Sequence, residues 1–468
     1  MAYLGRVELK SSDIQLKAST TISGSSTNTV VLTWTAPTEQ SIILKVNGVV
    51  QHTDAYSIAG SPTTITLASG NFADAAVVEV VGINDIGKAI VPADSSVTAL
   101  KIANSTITPA QMANSAFLAN RNIVQNGAMQ ICQRATTVTG LTAGPYTTCD
   151  RWRWSLATLG TWTSAQETLT TGNAFADGFR KSFRIDCTTA DASPAAGDVF
   201  VFQQRIEGYN AQGLKKGTAN AESTTISFWV KSNTTGTYSF GLFDTDNDRN
   251  IWQLYTISVA DTWEKKTITF AGDTTGGTLN NDNNSGLEMW WYIGAGSNYT
   301  TGTLQTRWGA NTWANNAVGT TQLAASTAND WAITGVQLEI GTTATPFEHQ
   351  SFGQELATCQ RYYQLKGMGL IGGVESTSAT VGTMRTGITY NPEMRAAPTV
   401  GVGASTITYN YPGVAAMASI SNAISWNSNP TSKGTVLGVG NYDNSGRASG
   451  DLVIVSAGGN QFTFDAEL

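Results

Sequence analysis

The chain has 468 residues, more than one ordinary domain holds, so we expect two to four domains. It carries 27 Lys and Arg against 34 Asp and Glu, a net charge of −7, and only 13% of its residues are charged. An acidic chain without a run of Lys or Arg is not expected to bind nucleic acid or anionic lipid. No apolar run approaches the roughly 18 residues that a membrane helix needs, so we expect no membrane insertion.

The four cysteines are separated by 17, 38 and 172 residues and form no CxxC pair; they are Cys132, Cys149, Cys187 and Cys359. This spacing predicts neither a metal site nor a disulfide scaffold, and we expect no cofactor. The polar residues are mostly Thr, Ser and Asn, with 47 Gly, which favour strands and tight turns. We therefore predict a mainly β protein with tandem β-sandwich or jelly-roll domains and short helical connectors.

Residues 1–92 are predicted to form an N-terminal β domain. Its strand-like runs are Thr29–Trp34, Ser41–Val46, Thr63–Leu67 and Ala75–Val81. Asn47-Gly48 supplies the two residues that adopt positive φ in a type I′ hairpin turn. With Tyr56–Ile58 and Ile65–Leu67, this turn resembles the N-terminal attachment domains of bacteriophage tail fibres. The resemblance implies a domain that attaches the protein to the virion, through an adaptor or nozzle protein of the tail.

Residues 93–120 hold an internal repeat of period ten, in which Val97–Ser105 aligns with Ile107–Ser115. Two copies are fewer than the three or so that a self-supporting solenoid needs, so the segment should pack against copies from other chains. The repeat is similar to the short Val-Thr-x-x-Lys-x-Ala repeats of phage tail fibres, which implies a short shaft in a homotrimer. The alternative is a linker without a structural partner.

Residues 121–349 contain most of the tryptophans, 11 of 13, between Trp152 and Trp331. Short runs such as Val199–Phe202, Thr225–Lys231 and Leu287–Ile293 read as strands, and Asn- and Gly-rich turns separate them. This pattern predicts a two-sheet sandwich or jelly roll.

A series of motifs in this region occurs in a recognisable order and spacing. The motifs are Asn126-Gly127, Met129–Ile131, Gln133-Arg134, Asp150–Trp152, Gln204–Gly208, Ser227–Lys231, Asp261–Ile268, Ile333–Glu339, Thr345–Glu348 and Cys359–Tyr363. Together they resemble the carbohydrate-binding-module-like jelly roll of phage tail fibre proteins. The resemblance implies a β-sandwich in a virion protein. Ala128 stands where related modules usually carry an acidic residue, which argues against a calcium site there.

The connector at 350–366 contains the clearest helix, predicted over 351–364. Ser351 and Gln354 form a capping box. An apolar seam follows at intervals of 4, 3 and 4 residues, formed by Phe352, Leu356, Cys359 and Tyr363. The seam either packs on the jelly roll of its own chain or joins a three-stranded bundle on a symmetry axis.

Residues 367–468 return to short strands rich in Gly, Ser and Asn. Met394–Val400 and Phe464–Leu468 resemble the C-terminal β domains of phage fibre proteins. The resemblance implies a distal tip or a second sandwich.

Catalytic chemistry finds little support in the sequence. The chain has two histidines, His52 and His349, and no nucleophile is placed beside either. The carboxylates Glu207, Glu288 and Glu339 lie in unrelated strands, so no glycosidase pair is predicted. Asp244–Asp248 begins like a calcium loop but lacks the later Gly and Glu, so a hairpin turn is the better interpretation. We expect no enzymatic activity and no metal.

Sugar binding is the better hypothesis for a site, because aromatic rings stack on pyranose rings while amides and hydroxyls bind the sugar hydroxyls. In the strand 287–293 the alternation places Trp290 and Tyr292 on the face opposite the core. Trp308 and Trp313 bracket a probable loop and are further candidates. The alternative for each of these rings is burial in the sandwich or in a subunit interface.

The residues and the resemblance together lead us to expect a homotrimeric tail fibre protein in the virion that recognises a host surface glycan through its distal β domains. The alternatives are a structural tail component without receptor binding, and a monomeric carbohydrate-binding module.

Overall fold

The computed structural model describes residues 14–22, 26–36, 38–83, 120–144, 146–376, 381–402, 406–410, 418–421, 424–428, 430–443 and 452–468. The chain divides into two compact units, residues 1–108 and 109–468. The predicted decapeptide repeat lies outside the described residues. In the described part of the chain, no helix combines the length and hydropathy that crossing a membrane requires.

The N-terminal unit is a small sandwich of two antiparallel sheets. Its strands are β1 (Ile14–Thr21), β2 (Thr29–Val31), β3 (Ile42–Val46), β4 (Val49–Val50), β5 (Tyr56–Ala59), β6 (Thr64–Leu67) and β7 (Val77–Ile83). One sheet has the order β1-β7-β3-β4 and the other the order β2-β6-β5. Leu44, Val80 and Ile65 are fully buried between them and form the centre of the core.

The turn between β3 and β4 is the predicted hairpin. Asn47 and Gly48 have φ values of 48° and 81°, and Val46 pairs with Val49 across the turn. The Asn47 side chain also accepts a hydrogen bond of 2.7 Å from the backbone N–H of Val77 on β7. The prediction of a tight Asn-Gly turn is therefore confirmed.

The larger unit contains a jelly roll of two six-stranded antiparallel sheets. Its strands are β8 (Thr137–Leu141), β9 (Arg153–Ala157), β10 (Thr161–Thr168), β11 (Lys181–Thr189), β12 (Val199–Glu207), β13 (Thr224–Ser232), β14 (Gly236–Asp244), β15 (Arg249–Ile257), β16 (Glu264–Phe270), β17 (Ser285–Ala295), β18 (Gly309–Ala310) and β19 (Asp330–Ile340). Sheet I has the order β16-β13-β19-β11-β10-β8, and sheet II the order β18-β15-β14-β17-β12-β9. The predicted two-sheet fold is confirmed.

Aromatic rings fill the space between sheets I and II. Phe202 of sheet II stacks on Phe183 of sheet I, with centroids 4.6 Å apart, and contacts Trp331 of sheet I at 5.5 Å. Phe202 also stacks on Trp152, which directly precedes β9, at 4.9 Å. Each such buried ring contributes roughly 1.5–3 kcal/mol through the area it removes from water. This core fixes which strand residues point inward and which point outward.

Among the described residues of this unit, four short α-helices connect strands: α1 (Asn173–Ala176), α2 (Gly208–Ala211), α3 (Ser297–Thr300) and α4 (Phe352–Gln360). The predicted capping box is present in α4, since the Ser351 hydroxyl accepts from the N–H of Gln354 and Gln354 accepts from the N–H of Ser351. The helix is shorter than the predicted 351–364. It ends at Gln360 because Tyr363 already pairs with Asp465 in a β ladder.

The last part of the chain forms an eight-stranded sheet. Its strands are β20 (Tyr363–Ser376), β21 (Val381–Thr389), β22 (Thr399–Val402), β23 (Thr406–Asn410), β24 (Ala418–Ser421), β25 (Ile424–Ser428), β26 (Gly434–Asp443) and β27 (Leu452–Asp465). The order is β24-β23-β27-β20-β21-β26-β25, with β22 also paired to β27.

Ion pairs join this sheet to the jelly roll. The Arg134 guanidinium lies 3.0 Å from the Asp465 carboxylate and 3.3 Å from that of Glu467. Glu467 also pairs with Arg151, which is fully buried and lies 3.4 Å above the centroid of the Tyr362 ring. The end of β27 and the start of β20 are thereby held against the jelly roll.

Several residues of the sequence motifs hold the fold together. The buried Asn126 side chain donates to the carbonyls of Ile131 and Asp150, at 2.8 and 2.9 Å. The Glu348 carboxylate accepts three backbone N–H groups, from residues 120, 121 and 122. Glu207, also buried, accepts two hydrogen bonds from the Arg361 guanidinium, at 2.8 and 3.0 Å. The motifs therefore mark structural contacts.

Gly127 tests this structural role. A Cβ atom at Gly127 would lie 2.1 Å from the carbonyl oxygen of Val336, so Gly127→Ala is expected to cost about 3 kcal/mol or more of unfolding free energy. Gly353→Ala is the matched control, because a Cβ atom at that helical position has no neighbour within 4 Å. This variant should raise the unfolding free energy by about 0.5–1 kcal/mol, since Ala favours a helix more than Gly does. Urea unfolding followed by tryptophan fluorescence measures both. Equal effects of the two variants would contradict the role of Gly127.

Asp150 makes stability depend on pH. Burial raises the pKa of Asp150 from 3.8 to about 6, although Gln133 donates hydrogen bonds to it. Between these values the folded protein keeps a proton that the unfolded chain has released, so the free energy of unfolding falls as the pH rises through that window.

Asp150→Asn removes this dependence. Between about pH 4 and about pH 7, the free energy of unfolding of the unmodified protein should fall by about 2–3 kcal/mol relative to that of the variant. Urea unfolding at each pH measures this. Asp261→Asn, which makes the same substitution at an exposed turn position, is the control for the change of side chain. Parallel pH profiles for the unmodified protein and Asp150→Asn would refute the expectation.

Candidate functional site

The outer face of sheet II is defined by the alternation of β17. Leu287, Met289, Trp291 and Ile293 are buried in the core between the sheets, as predicted. Glu288, Trp290 and Tyr292 point to the opposite face. The functional candidates predicted on this strand therefore lie on the outside of the jelly roll.

Six rings form an aromatic cluster on this face: Phe243, Trp252, Trp290, Tyr292, Tyr299 and Trp313. Trp252 and Tyr292 are fully buried and form its base, with centroids 5.2 Å apart. The Trp290 and Trp313 rings lie above them, 6.0 Å apart and 27° from parallel. Trp313 is 45% exposed and Trp290 is half-buried, so the outer layer of the cluster reaches solvent.

The segment between β17 and β19 brings Tyr299 and Trp313 onto the sheet, beside Trp290. Tyr299 lies on α3, and its carbonyl accepts a hydrogen bond of 2.9 Å from the N–H of Ala317. The N–H of Gly302 bonds to the carbonyl of Ala314 at 2.9 Å, next to Trp313. At the base, Gly241 lets Trp252 lie flat on the strand, since a Cβ there would be 2.2 Å from the indole ring. Backbone contacts thus fix the position of the rings.

Two of the four predicted sugar-binding residues do not have the expected surroundings. Tyr292 is fully buried under the loop, and this burial raises the pKa of its hydroxyl, so its ring offers no face to a ligand. Trp308 lies outside the aromatic cluster: its indole N–H donates to the carbonyl of Ala271, and its ring lies 5.0 Å from the ammonium of Lys216. Trp290 and Trp313 remain as the rings that a ligand can reach.

A buried carboxylate orients Trp290. Glu288 accepts a hydrogen bond of 2.6 Å from the indole N–H of Trp290. The same carboxylate lies 2.8 Å from Nε of Arg205 on the neighbouring strand. Because both contacts come from one side chain that is almost fully buried, the Trp290 ring is held in one orientation.

The seam predicted on the connector helix is divided in the structure. Phe352 is 58% exposed and Leu356 is half-buried, whereas Cys359 and Tyr363 are buried within the chain. Tyr363 lies in β20 instead of the helix, and its ring is 3.7 Å from the Arg134 guanidinium carbon. Cys359 and Tyr363 therefore pack against their own unit, which leaves Phe352 and Leu356 as the seam residues that a partner could reach.

The acidic run at 244–248 is a hairpin turn between β14 and β15. The sequence favoured this interpretation over a calcium loop. Asp244 accepts backbone hydrogen bonds within the turn and pairs with the buried ammonium of Lys216. Lys216 also pairs with Asp273. Burial opposes ionisation of Asp273, but hydrogen bonds from Arg249 and Lys216 lower its pKa to about 2. Among the described residues, no group of His, Cys, Asp or Glu has a metal-binding arrangement.

The three strand carboxylates considered for catalysis serve different structural contacts. Glu207 binds Arg361, Glu288 binds Trp290 and Arg205, and Glu339 accepts from the hydroxyl and N–H of Thr345.

The two histidines are also accounted for by local contacts. His52 accepts the N–H of Asp54 in a 3-10 turn. His349 packs against Phe179 and Phe347, where burial lowers its pKa.

No family model and no curated protein matches the chain. Among solved structures, it is similar to the enzymatically active domain of tailspike protein 4 of bacteriophage CBA120, at 14% identity over 47% of this chain and 21% of that chain, with a TM-score of 0.25. It is similar to the family 11 carbohydrate-binding module of Clostridium thermocellum, at 12% identity over 45% of this chain and 99% of that chain, with a TM-score of 0.22.

A third similar structure is the N-terminal cellulose-binding domain of β-1,4-glucanase C from Cellulomonas fimi, at 10% identity over 45% of this chain and 98% of that chain, with a TM-score of 0.20. The chain therefore spans about a fifth of the tailspike chain and nearly all of the two binding domains. All three TM-scores lie far below 0.5, so we assign the fold from the strand order of this chain alone.

Sequence reasoning did not identify Phe243, Trp252 and Tyr299 as part of the site. Phe243 and Trp252 are distant in sequence from Trp290, and the loop that brings Tyr299 and Trp313 together has no periodic pattern. The alternation along β14 places Phe243 outward, but only the pairing of Phe243 with Glu288 brings it beside Trp290.

Proposed function

We propose that this protein is a non-enzymatic, glycan-binding component of a bacteriophage tail fibre that recognises the host surface. The observation that carries the proposal is the solvent-accessible pair of Trp290 on β17 and Trp313 in the loop packed beside it, whose rings are 27° from parallel. The sequence motifs that resemble tail fibre jelly rolls support the assignment to a virion.

The aromatic cluster has the physical properties of a sugar platform. Flat rings bind the apolar faces of pyranoses, and the buried base of Trp252 and Tyr292 keeps the outer rings from collapsing. Thr312 and Asn315 flank Trp313 and supply hydroxyl and amide groups. The platform is preformed, so binding costs little ordering of side chains.

A single small platform binds weakly, and several copies on one fibre would bind firmly. Linked sites rebind at a high effective concentration, which raises the overall affinity without new contacts. In this proposal the chain forms a homotrimer, its N-terminal unit docks on an adaptor or nozzle protein of the tail, and the platforms face the host.

Trp313→Ala tests the platform. The variant should fold normally, because Trp313 is 45% exposed, and should lose about fivefold to tenfold in affinity for the polysaccharides that the unmodified protein binds. Binding to an array of bacterial surface polysaccharides measures this. Tyr209→Ala is the control, since Tyr209 is 53% exposed but lies on α2, outside the aromatic cluster. If Trp313→Ala and Trp290→Ala both bind as the unmodified protein does, the aromatic cluster is not the sugar-binding site.

Light scattering tests the oligomeric state. The trimer predicts a mass of about 148 kDa, three times the chain mass of 49.4 kDa. If α4 contributes to the interface, Phe352→Asp should reduce this mass, because a charge would replace an exposed apolar side chain there. A mass near 49 kDa for the unmodified protein would instead favour a monomeric carbohydrate-binding module.

A further inference from the structure

A row of outward-facing side chains crosses sheet II beside the aromatic cluster. In the strand register, Gln203 of β12 lies directly opposite Arg153 of β9 on one side and Trp290 of β17 on the other. Directly paired residues of an antiparallel sheet project from the same face. Arg153, Gln203 and Trp290 therefore form one continuous line, with Arg153 about 10 Å from Trp290 along the sheet.

Arg153 has no carboxylate partner among the described residues. The other arginine on this face, Arg205, pairs with Glu288 at 2.8 Å, whereas Arg153 contacts the ring of Tyr146 at 5.7 Å. Burial, together with the nearby Arg205, lowers the pKa of Arg153, although Glu288 and Glu467 act in the opposite direction. Because Glu288 pairs with Arg205, the Arg153 guanidinium is left without an ion-pair partner within 4 Å in the described part of the chain.

Two buried polar atoms in this row have no partner. The Gln203 side chain is 1% exposed, and its Oε1 atom receives no hydrogen bond from the described residues. The Nε atom of Arg153 is likewise buried without an acceptor. Buried polar groups are normally paired, so an acceptor and a donor left open side by side indicate a place for a ligand with complementary groups.

We propose that the glycan bound at the aromatic cluster is acidic, with its anionic group bound by Arg153 and a neighbouring hydroxyl donating to Gln203. This inference rests on the proposed function and specifies its ligand class. The anionic group is a carboxylate of an acidic sugar or a phosphate on the polysaccharide, since a guanidinium binds both. Trp290 would stack on one sugar ring while Arg153 binds the charged group of the adjacent one.

Arg153→Gln tests the inference on the full chain. Loss of a charge-assisted hydrogen bond should weaken binding to an acidic polysaccharide about tenfold or more, and leave binding to neutral ones unchanged. Arg180→Gln makes the same change of charge at an exposed position before β11 and should have no effect. Thermal unfolding of each variant controls for folding.

The probes are the bacterial surface polysaccharides that bind on the array, before and after chemical removal of their charge. Reduction of carboxyl groups to alcohols, or removal of phosphate, should abolish binding, and the effective treatment identifies the source of the charge. Bound polysaccharides that are neutral, with Arg153→Gln unaffected and Trp313→Ala defective, would overturn the acidic ligand and keep the platform. No binding to any polysaccharide would overturn the proposed function and this inference with it.

Discussion

The packing of sheet I on sheet II through aromatic rings determines the outer surface of this protein. Because neighbouring residues in a strand face opposite sides, burying Trp291 between the sheets obliges Trp290 to face outward. A slip of one residue in β17 would exchange the two sets and expose Leu287 and Met289. The register of β17 therefore determines both the residues of the core and those of the candidate site.

Local patterns in the sequence predicted much of this fold. The Asn47-Gly48 turn, the capping box at Ser351 and the alternation around Trp291 depend on residues close together in the chain, and the structure has all three. The burial of Tyr292 depends instead on a loop that returns over the strand from residues further along. The position of Trp308 depends on the same loop, so neither could be deduced from local spacing.

Only 13% of the residues are charged, and several of them form buried ion pairs between parts of the fold. Glu207 with Arg361 and Glu467 with Arg151 pair buried carboxylates with guanidinium groups. Replacing such a pair by apolar residues often costs nothing, whereas removing one partner is expensive. The pairs therefore select one arrangement of the C-terminal strands on the jelly roll more than they stabilise it.

The chain enters and leaves the eight-stranded sheet at neighbouring positions. Tyr363, at the start of β20, pairs with Asp465, at the end of β27, and both positions lie beside Arg134. A module whose two chain ends emerge side by side can be lengthened, shortened or exchanged between those ends while its attachment stays the same. A different insert between β20 and β27 would keep these contacts and would lose the one made by Arg395, which donates to the carbonyl of Asn283 at 2.8 Å.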